Sequence, residues 1–499
     1  MKIVIVGGGT SGWLAALIIK SAHKNHDITV IESSKIKTIG VGEGSTGFLR
    51  GVVNNEVNDY GCNEIEFMKY SKALPKLGVH FKSWTQDMDY IEPISSAGTP
   101  GWFGSYPLLI GYVASKTPIH LSAYDGRMIE YGISSFVRKD ESDVPVNTGY
   151  NAYHFDAGLA GEYFKSKCLD KVLLIDSEVT DINTDISGNV KSLNLSNGQN
   201  ISGDFFIDAS GFHRIFMDKM NNEFIEYSDL TLNSAMPFRL DLDQMPNDRF
   251  VTTAWAQKYG WMWMIPKLDH IGCGYIYDDR YITQEEARAE IEKVLKIKIK
   301  PIKKINFKAG RLKHFWQKNV LSIGLSSCFL EPLEATSIHG TISQINNFVY
   351  FYLRDNIDDT LNDVSISEYN RQTERMIENF KTFILLHYYG TRKDTDFWKK
   401  MNKNSAKNKE VQKIIDIGKT RLLNDFDTDT NSIYGATPFQ LFNWVLSGQG
   451  TFKSDAAKIE LSVNNRNTLA ILEEEKMCIF IESQKWLSNK ELIDYLNND

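Results

Sequence analysis

The chain opens with two short apolar stretches that flank a cluster of glycines. Residues 3–6 (IVIV) are apolar without interruption, residues 13–22 are mostly apolar, and residues 28–31 (ITVI) form a second short run before Glu32. Short apolar runs beside glycine predict buried strands, and longer ones predict helices. The first 32 residues therefore predict a strand–helix–strand unit.

Farther along, the pattern is first strand-like or irregular and then helical. Residues 85–150 are rich in turn-forming residues, whereas residues 172–182, 204–208 and 261–277 have the pattern of strands. From Ser337 onward helices dominate, and we expect them at residues 342–352, 367–387 and 408–424, with a last pair from residue 465. The pattern predicts an α/β nucleotide-binding core, an interleaved β-rich module and a helical C-terminal region.

Composition and charge narrow the class of protein. The 499 residues are 42% hydrophobic and 24% charged, which is ordinary for a globular protein with a large core. A net charge of −7 gives no general attraction to nucleic acid or to anionic membranes. We expect neither partner, because the chain also lacks an apolar run of membrane-spanning length and a signal-peptide pattern at its start.

The cysteines indicate the redox environment. The five of them are scattered and include no C-x-x-C pair: Cys62, Cys168, Cys273, Cys328 and Cys478. This spacing argues against a disulfide framework and against a zinc site. We therefore expect no metal and a reducing, cytoplasmic location.

The glycine cluster follows the G-x-G-x-x-G pattern of dinucleotide-binding loops. Its sequence is Gly7-Gly8-Gly9-Thr10-Ser11-Gly12. In such a loop the first glycine permits the turn, the second lets a pyrophosphate approach, and the third lets helix pack on strand. The phosphates lie at the positive end of a helix, and Glu32, about 20 residues later, is placed to bind a ribose hydroxyl. The alternative is a plain glycine turn, but the strand, helix and acid around the cluster favour dinucleotide binding.

Two later patches favour FAD over NAD as that dinucleotide. Residues 204–211 (DFFIDASG) form an apolar strand that ends in Asp208 and small residues. Residues 319–332 contain another strand and then a small-residue turn around Gly324 and Leu325. Each patch alone is compatible with ordinary core. In this order after the glycine loop, they resemble segments of the flavoprotein monooxygenases.

One motif makes the resemblance narrower: Trp261-Met262-Trp263-Met264-Ile265-Pro266. W-x-W-x-I-P, together with the glycine loop, is the signature of the flavin-dependent halogenases, best known from the tryptophan halogenases, and the chain resembles that family. The resemblance implies that Trp261, Trp263 and Pro266 lie beside the route between flavin and substrate. Taken locally, the two tryptophans also fit a strand with one buried aromatic face.

The likeness covers most of the chain and fades after about residue 432. Residues 39–43 match the family's second flavin-side loop, residues 153–157 its H-F-D element, residues 322–336 its halide and flavin segment, and residues 390–398 a C-terminal element. The FAD contacts that the resemblance implies are Gly7, Gly9, Thr10, Ser11, Gly12, Glu32, Val41, Glu43, Val179, Asp208, Gly324, Leu325 and Ile338.

Lys76 and Glu334 are the catalytic residues that the resemblance implies. Lys76 lies in Lys76-Leu77-Gly78-Val79-His80-Phe81, where the family has an essential lysine that binds hypohalous acid or carries the halogen as a haloamine. Such a lysine must be desolvated, which lowers its pKa. His80 and Lys82 are nearby alternatives and would share a face with Lys76 on a single strand.

Glu334 matches the family's acid that faces the lysine and polarises the hypohalous acid or takes the ring proton. We expect Glu331, three residues earlier, to be structural.

The halide site is expected at Thr336 and Ser337, which match the residues whose backbone amides hold the halide in the family. Amide groups at the start of a helix form a ready anion site. The family commonly has glycine where this chain has Ser337, which restricts the backbone to ordinary φ and adds a hydroxyl. The departure puts the halide geometry, and with it the halide preference, in doubt.

The resemblance implies a flavin-dependent halogenase that uses FADH2 and O2. A separate NAD(P)H-dependent flavin reductase would supply the FADH2, since the chain has a single dinucleotide fingerprint. Chloride, bromide or iodide would become hypohalous acid and then halogenate a small electron-rich aromatic substrate. We also expect a homo-oligomer. The alternatives are an FAD-dependent aromatic hydroxylase and a non-catalytic FAD-binding protein.

Free tryptophan is not the substrate we expect. Tryptophan halogenases sandwich the indole between aromatic side chains from two segments. Here residues 89–95 lack the family's His and Phe pair, and residues 442–448 keep Trp444 without the neighbouring tyrosines. Losing one stacking face removes about 0.5–1.5 kcal/mol beyond burial. Broad activity on small activated aromatics follows, with bromide or iodide favoured over chloride.

The expected division of the chain has six parts. They are the first part of the FAD-binding core (1–84), a substrate-side insertion (85–150), the second part of the core (151–215), a β-rich substrate module (216–310), an FAD- and halide-binding segment (311–350) and the helical C-terminal region (351–499).

Overall fold

A computed structural model describes most of the chain. The described residues are 1–36, 43–54, 60–85, 89–95, 106–139, 142–244, 250–428, 430–463 and 465–498. Val41, an expected FAD contact, lies outside them.

Strands occur throughout the first two thirds of the described chain, and a last one lies near its end. They are β1 (Lys2–Val6), β2 (Asp27–Glu32), β3 (Glu43–Gly44), β4 (Leu74–Lys76), β5 (Gly78–Lys82), β6 (Tyr90–Pro93), β7 (Ile133–Lys139), β8 (Ser142–Asn147), β9 (Ala152–Phe155), β10 (Leu173–Asp176), β11 (Val179–Thr184), β12 (Val190–Leu195), β13 (Asn200–Ser202), β14 (Phe205–Asp208), β15 (Phe224–Glu226), β16 (Ser234–Leu240), β17 (Val251–Gln257), β18 (Gly260–Pro266), β19 (Ile271–Tyr277), β20 (Ile305–Asn306), β21 (Gly310–Leu312), β22 (Trp316–Gln317), β23 (Val320–Ser322), β24 (Cys328–Phe329) and β25 (Trp486–Ser488).

The helices follow the same chain order and dominate its last third. They are α1 (Thr10–Ala22), α2 (Arg50–Val53), α3 (Glu64–Tyr70), α4 (Pro107–Ser115), α5 (Tyr124–Tyr131), α6 (Ala157–Ser166), α7 (Gln284–Leu295), α8 (Thr336–Asn347), α9 (Ile357–Thr360), α10 (Asp363–His387), α11 (Asp396–Lys407), α12 (Lys409–Gly418), α13 (Phe439–Gly448), α14 (Ser454–Leu461), α15 (Arg466–Ser483) and α16 (Asn489–Asn497).

The first large sheet has six strands in the order β10-β2-β1-β14-β23-β22. All neighbours pair in parallel except β22 and β23, and Val6 at the end of β1 lies beside Asp208 at the end of β14. The buried faces of β1 and β2 are apolar, as a parallel sheet between helices requires. Because the carboxyl ends of β1, β14 and β23 meet at one edge, the glycine loop and the two later patches lie together there.

The second large sheet has seven strands in the order β20-β16-β19-β18-β17-β5-β6 and is antiparallel except where β17 pairs with β5. The W-x-W-x-I-P motif forms β18, which is buried along its whole length. Trp261, Trp263 and Ile265 face the main core, whereas Met262 and Met264 face a second cluster that includes α7. Gly274 on β19 lies opposite Trp263, and a Cβ there would overlap the indole ring.

The segment around Lys76 is not the single strand on which His80 and Lys82 would share a face with Lys76. Lys76 ends β4, in a three-stranded sheet with β3 and β9, and the next strand, β5, belongs to the seven-stranded sheet. The chain changes sheet at Leu77, whose N–H donates to the Phe250 carbonyl. His80 therefore does not share a strand with Lys76; it faces Asp89 at 3.7 Å, while Lys82 covers the ring of Trp255.

Other expected elements also differ from the structure at their ends. The strand expected at 172–182 is divided into β10 and β11, and residues 348–352 form a π-helical turn rather than the end of a helix from 342. Residues 106–139 of the irregular segment contain α4, α5 and β7. The fold class is confirmed: a Rossmann-like α/β core with an interleaved β-rich sheet and a helical C-terminal region.

Two further findings concern membrane-spanning helices and disulfides. No helix among the described residues is long and apolar enough to cross a membrane. All five cysteines are free.

Candidate active site

The glycine loop joins β1 to α1 and leaves an open cradle at the start of the helix. Gly7 has φ +120°, and a Cβ there would overlap the Ala209 carbonyl oxygen. A Cβ at Gly12 would overlap the Gly7 carbonyl oxygen, whereas one at Gly9 would meet nothing within 4 Å. Gly9 is also the N-cap of α1, without a side-chain cap. Free amides beside open space fit the pyrophosphate of a dinucleotide.

The side chains around this loop are largely engaged within the protein. The Thr10 hydroxyl donates to the Ala157 carbonyl at 3.0 Å, and Ser11 lies against Gly324. Glu32, at the end of β2, accepts a hydrogen bond from Trp13 Nε1 at 3.2 Å and pairs with Lys165. A ribose hydroxyl at Glu32 would therefore share the carboxylate with Lys165.

The other expected FAD contacts lie on several elements. Asp208 is buried and accepts hydrogen bonds from the Ser210 N–H and hydroxyl at 2.9 and 2.6 Å, so its carboxylate shapes the turn after β14. Gly324 has φ +59°, and its N–H donates to Gln344 at 3.2 Å. The remaining described members of the set are Leu325 (half-buried), Val179 (the first residue of β11), Ile338 (buried in α8) and Glu43 (the first residue of β3).

Glu43 is an unusual acid in this set. Burial and the neighbouring Asp156 raise the pKa of Glu43 to about 7, against the opposing effect of Lys267. Asp156 itself caps α6 and pairs with the buried Lys267 at 3.1 Å.

Lys76 is buried, with 3% of its surface exposed. Its Nζ lies 3.4 Å from the Ser45 carbonyl oxygen, and the end of the side chain lies beside Gly44, where a Cβ would make an ordinary contact with it. Burial lowers the pKa of Lys76, against the opposing effect of Glu334 and Glu92. The structure therefore places Lys76 in the desolvated environment that the family resemblance implies.

Glu334 ends a 3₁₀ turn (Pro332–Glu334) that precedes α8. Its Oε1 lies 3.0 Å from Nε2 of His387, the last residue of α10. Glu92 on β6 approaches the same nitrogen at 3.6 Å through its Oε2. Three buried titratable groups thus meet beside Lys76, and the carboxylate atoms and the imidazole nitrogen lie within 4.8 Å of one another.

Sequence reasoning missed His387 and Glu92. His387 follows Phe383-Ile384-Leu385-Leu386, so a histidine in a fully apolar run was the available signal. Glu92, between Ile91 and Pro93, was likewise an acid inside a buried strand. Buried ionisable residues are rarely left without a partner, and both positions justified a search for one.

Glu331 has a different set of partners from Glu334. Its Oε1 accepts hydrogen bonds from Trp261 Nε1 at 3.2 Å and from the Tyr388 hydroxyl at 2.6 Å. Burial raises the pKa of Glu331 to about 7. The carboxyl group ties the first tryptophan of the W-x-W-x-I-P motif to the turn that carries Glu334, while Trp263 Nε1 has no partner within the described residues. Pro266 ends the same strand.

The start of α8 has the features of an anion site. Its N-cap, Ala335, has φ +53° and provides no side-chain cap, so the first amides of the helix are not capped by a side chain. Thr336 is buried and Ser337 is half-buried. Ser337 lies in helical backbone and is not among the residues with positive φ, so position 337 does not require glycine here.

Comparison with known proteins identifies the family. The sequence model of the tryptophan halogenase family matches residues 2–463. Tryptophan 7-halogenase RebH of Lentzea aerocolonigenes is 33% identical to this chain, in an alignment that covers 80% of this chain and 78% of RebH. Tryptophan 6-halogenase ThaL of Streptomyces albogriseolus is 30% identical, in an alignment that covers 80% of this chain and 78% of ThaL. The solved structure of Tar14, a tryptophan C-6 flavin-dependent halogenase from taromycin biosynthesis, superposes with a TM-score of 0.86, at 25% identity over 100% of both chains.

The chain belongs to the tryptophan halogenase family. It is accordingly a flavin-dependent halogenating enzyme, and the expectation drawn from the W-x-W-x-I-P motif is confirmed.

Proposed function

We propose that this enzyme halogenates a small electron-rich aromatic substrate through Lys76 and Glu334. Bound reduced FAD would supply, together with O2, the oxidising equivalent that turns halide into hypohalous acid. The residues that would hold the cofactor are those of the glycine loop with Glu32, Glu43, Asp208 and the turn at Gly324. The open space at Gly9 supports this assignment, because it leaves the α1 amides accessible.

The chain's own residues would divide the work. The amides of Thr336 and Ser337 at the start of α8 would hold the halide. Trp261, Trp263 and Pro266, on a strand buried along its whole length, would wall the flavin side from the substrate side. This separation keeps oxidant and substrate apart and suppresses side reactions.

Lys76 and Glu334 would act at the substrate. The Lys76 ammonium would donate a hydrogen bond to the oxygen of the hypohalous acid, and Glu334 would remove the ring proton after the carbon attacks the halogen. The observation that carries this assignment is the burial of both groups in one cluster, where Glu334 and Glu92 affect the pKa of Lys76.

The substrate proposed here is not free tryptophan, although several relatives are named for it. Trp444 is fully buried and donates its indole N–H to the Ser95 carbonyl at 3.2 Å, and Phe442 packs on Phe383. Tyr90 stacks on Phe81 with ring centroids 4.8 Å apart. Since Phe442 and Tyr90 already pack on other rings and Trp444 is held through its N–H, these residues support a pocket without a dedicated indole sandwich.

We also propose a partner and a cellular location for the enzyme. A separate NAD(P)H-dependent reductase would provide reduced FAD, and the five free cysteines support a reducing, cytoplasmic location. A homo-oligomeric state stays a prediction.

A halogenation assay tests the proposed function. Purified enzyme, FAD, a flavin reductase and NADH would be incubated with tryptophan, simple indoles and phenols, each with chloride, bromide or iodide. We expect halogenated phenols and indoles at higher kcat/KM than tryptophan. Hydroxylated products that carry no halogen would indicate a hydroxylase, and a single chlorinated tryptophan isomer as the preferred product would refute the substrate proposal.

A further inference from the structure

Behind Glu334, two buried groups have no role in the proposed function: His387 and Glu92. His387 is fully buried and Glu92 is 3% exposed. The Nδ1 of His387 lies 2.8 Å from the Phe383 carbonyl oxygen, which can only accept, so Nδ1 carries a proton. The remaining nitrogen, Nε2, therefore faces Glu334 at 3.0 Å and Glu92 at 3.6 Å.

We propose that His387 and Glu92 form a proton relay that resets Lys76 and Glu334 between turnovers. The inference rests on the proposed function and adds two positioning residues to it. Its basis is geometric: one imidazole nitrogen, with its tautomer fixed, lies between the carboxyl groups of Glu334 and Glu92 in a buried site. Glu334 Oε1 lies 3.0 Å from Nε2, a distance that permits proton transfer once the N–H points at the oxygen, and neither atom has a hydrogen-bond partner of good geometry within the described residues. The Oε2 of Glu92 has no hydrogen-bond partner within the described residues, so it can turn toward the same nitrogen.

The chemistry requires a reset because each turnover leaves two groups in the wrong protonation state. The ring carbon attacks the halogen, the halogen–oxygen bond breaks, and its electron pair leaves as hydroxide, which takes a proton from the Lys76 ammonium to become water. The ring C–H pair then returns to the ring and its proton goes to Glu334. Lys76 has lost a proton and Glu334 has gained one.

The relay would return that proton through the protein. Glu92, whose charge raises the pKa of Lys76 against burial, gives its proton to Lys76. Nε2 of His387 then gives the proton it holds to the Glu92 carboxylate, and Glu334 reloads Nε2. No proton is gained or lost overall, and solvent is not needed.

The electrostatics of the cluster agree with this starting state. Burial and Glu334 raise the pKa of Glu92 to about 8, so it holds a proton at neutral pH. Burial opposes the charge on His387, but Glu334, and to a smaller extent Glu92, outweigh it and raise the pKa of His387 to about 10.

Four other described titratable groups near the cluster are Tyr90, Tyr388, His154 and Glu331. Burial raises the pKa of Tyr90 and of Tyr388, and burial with Lys76 lowers that of His154, so all three stay neutral. Glu331 has a pKa of about 7, but its carboxyl group is held by Trp261 and Tyr388.

The test compares the first turnover with later ones in Glu92→Gln, which keeps the shape of the side chain but cannot pass a proton. Enzyme loaded with reduced FAD is mixed with O2, bromide and indole, and then studied with excess flavin reductase. We expect a first turnover close to that of wild type and later turnovers slower by about 10-fold or more, a loss on the scale of general acid–base effects. Hypobromous acid trapped without indole should be unchanged.

The pH profile gives a second readout. Wild-type turnover should fall as the pH rises through about 8, since Glu92 is loaded only below its pKa. Glu92→Gln should lack this step, whereas the titration of Lys76 itself should remain in the first turnover of both proteins. Glu290→Gln is the matched control, because Glu290 is a half-buried residue on α7, behind the seven-stranded sheet. It should leave both the ratio of first to later turnovers and the pH profile unchanged.

A third readout needs neither flavin nor a soluble variant. In the flavin-free wild-type protein, ¹⁵N NMR of the histidines should show one imidazolium that persists above pH 8. Its signal is assigned to His387 because it is absent in His387→Gln, or because its buried N–H proton exchanges slowly with solvent. Equal slowing of first and later turnovers, unchanged later turnovers, or a His387 that titrates near 6.5 would each overturn the relay. Absence of any halogenated product from wild type would instead refute the proposed function.

Discussion

Substitution of Gly9 by alanine separates cofactor binding from folding. Gly9 has φ −78° and ψ −179°, which alanine adopts without strain, and its Cβ would meet nothing within 4 Å. We therefore expect Gly9→Ala to fold with a stability within about 0.5 kcal/mol of wild type, as for a substitution that meets no other group. Gly7→Ala should behave differently, because its φ of +120° and the Ala209 carbonyl oxygen both oppose a side chain.

The expected loss of FAD affinity follows from what the methyl group would displace. It would occupy the space through which a pyrophosphate reaches the first amides of α1. A hydrogen bond to a charged group contributes about 1.5–3 kcal/mol, and each 1.4 kcal/mol is about tenfold in affinity. Loss of one such bond therefore predicts FAD binding weaker by about 10- to 100-fold.

FAD titration followed by flavin fluorescence, with thermal unfolding of the cofactor-free protein, measures both quantities. Gly111→Ala is the matched control. Gly111 lies on α4, and a Cβ there would make an ordinary 3.6 Å contact with Ala470. Wild-type FAD affinity in a folded Gly9→Ala protein would refute the assignment of the loop. A large fall in its unfolding temperature would refute the interpretation of the space as open.

Three further predictions concern catalysis. Lys76→Ala should abolish halogenation while FAD binding and trapped hypohalous acid survive; normal product yield would contradict its role. Glu334→Gln should slow halogenation by about 10²-fold or more, as loss of a general acid–base does; an unchanged rate would move the role to Glu331, tested by Glu331→Gln. With NADH and FAD but no reductase the enzyme should be inactive, and robust NADH oxidation by the purified protein would show a second cofactor site.

The nucleotide-binding end of the fold could be predicted from sequence because its determinants are local. Gly7, Gly12 and the apolar runs on either side specify a turn and two packed elements through steric contacts within about 30 residues of chain. The structure confirms the strand–helix–strand unit, with α1 beginning at Thr10 rather than near residue 13. The helix start was missed because Thr10-Ser11-Gly12 carries no apolar signal, although Gly9 is the N-cap.

The strand around Lys76 could not be predicted correctly from its alternation. Lys76, His80 and Lys82 have the even spacing of one face, yet β4 and β5 belong to different sheets. At the change of sheet the Leu77 N–H donates to the Phe250 carbonyl, and β5 then pairs with β17, more than 170 residues away in sequence. A pairing partner at that distance leaves no trace in the local pattern, so periodicity alone places His80 wrongly beside Lys76.

The two glutamates of Glu331-Pro332-Leu333-Glu334 illustrate what the sequence can and cannot assign. Both are buried acids at the ends of one short turn, and nothing in their local sequence distinguishes them apart from the family match. Their partners differ because the turn points one carboxylate at Trp261 and Tyr388 and the other at His387. Tyr388 and His387 are adjacent at the end of α10, so one helix end supplies a partner to each acid. A shift of α10 would therefore disturb both Glu334 and, through Glu331, Trp261. For this reason α10 belongs to the candidate active site, although it is distant from Trp261 in sequence.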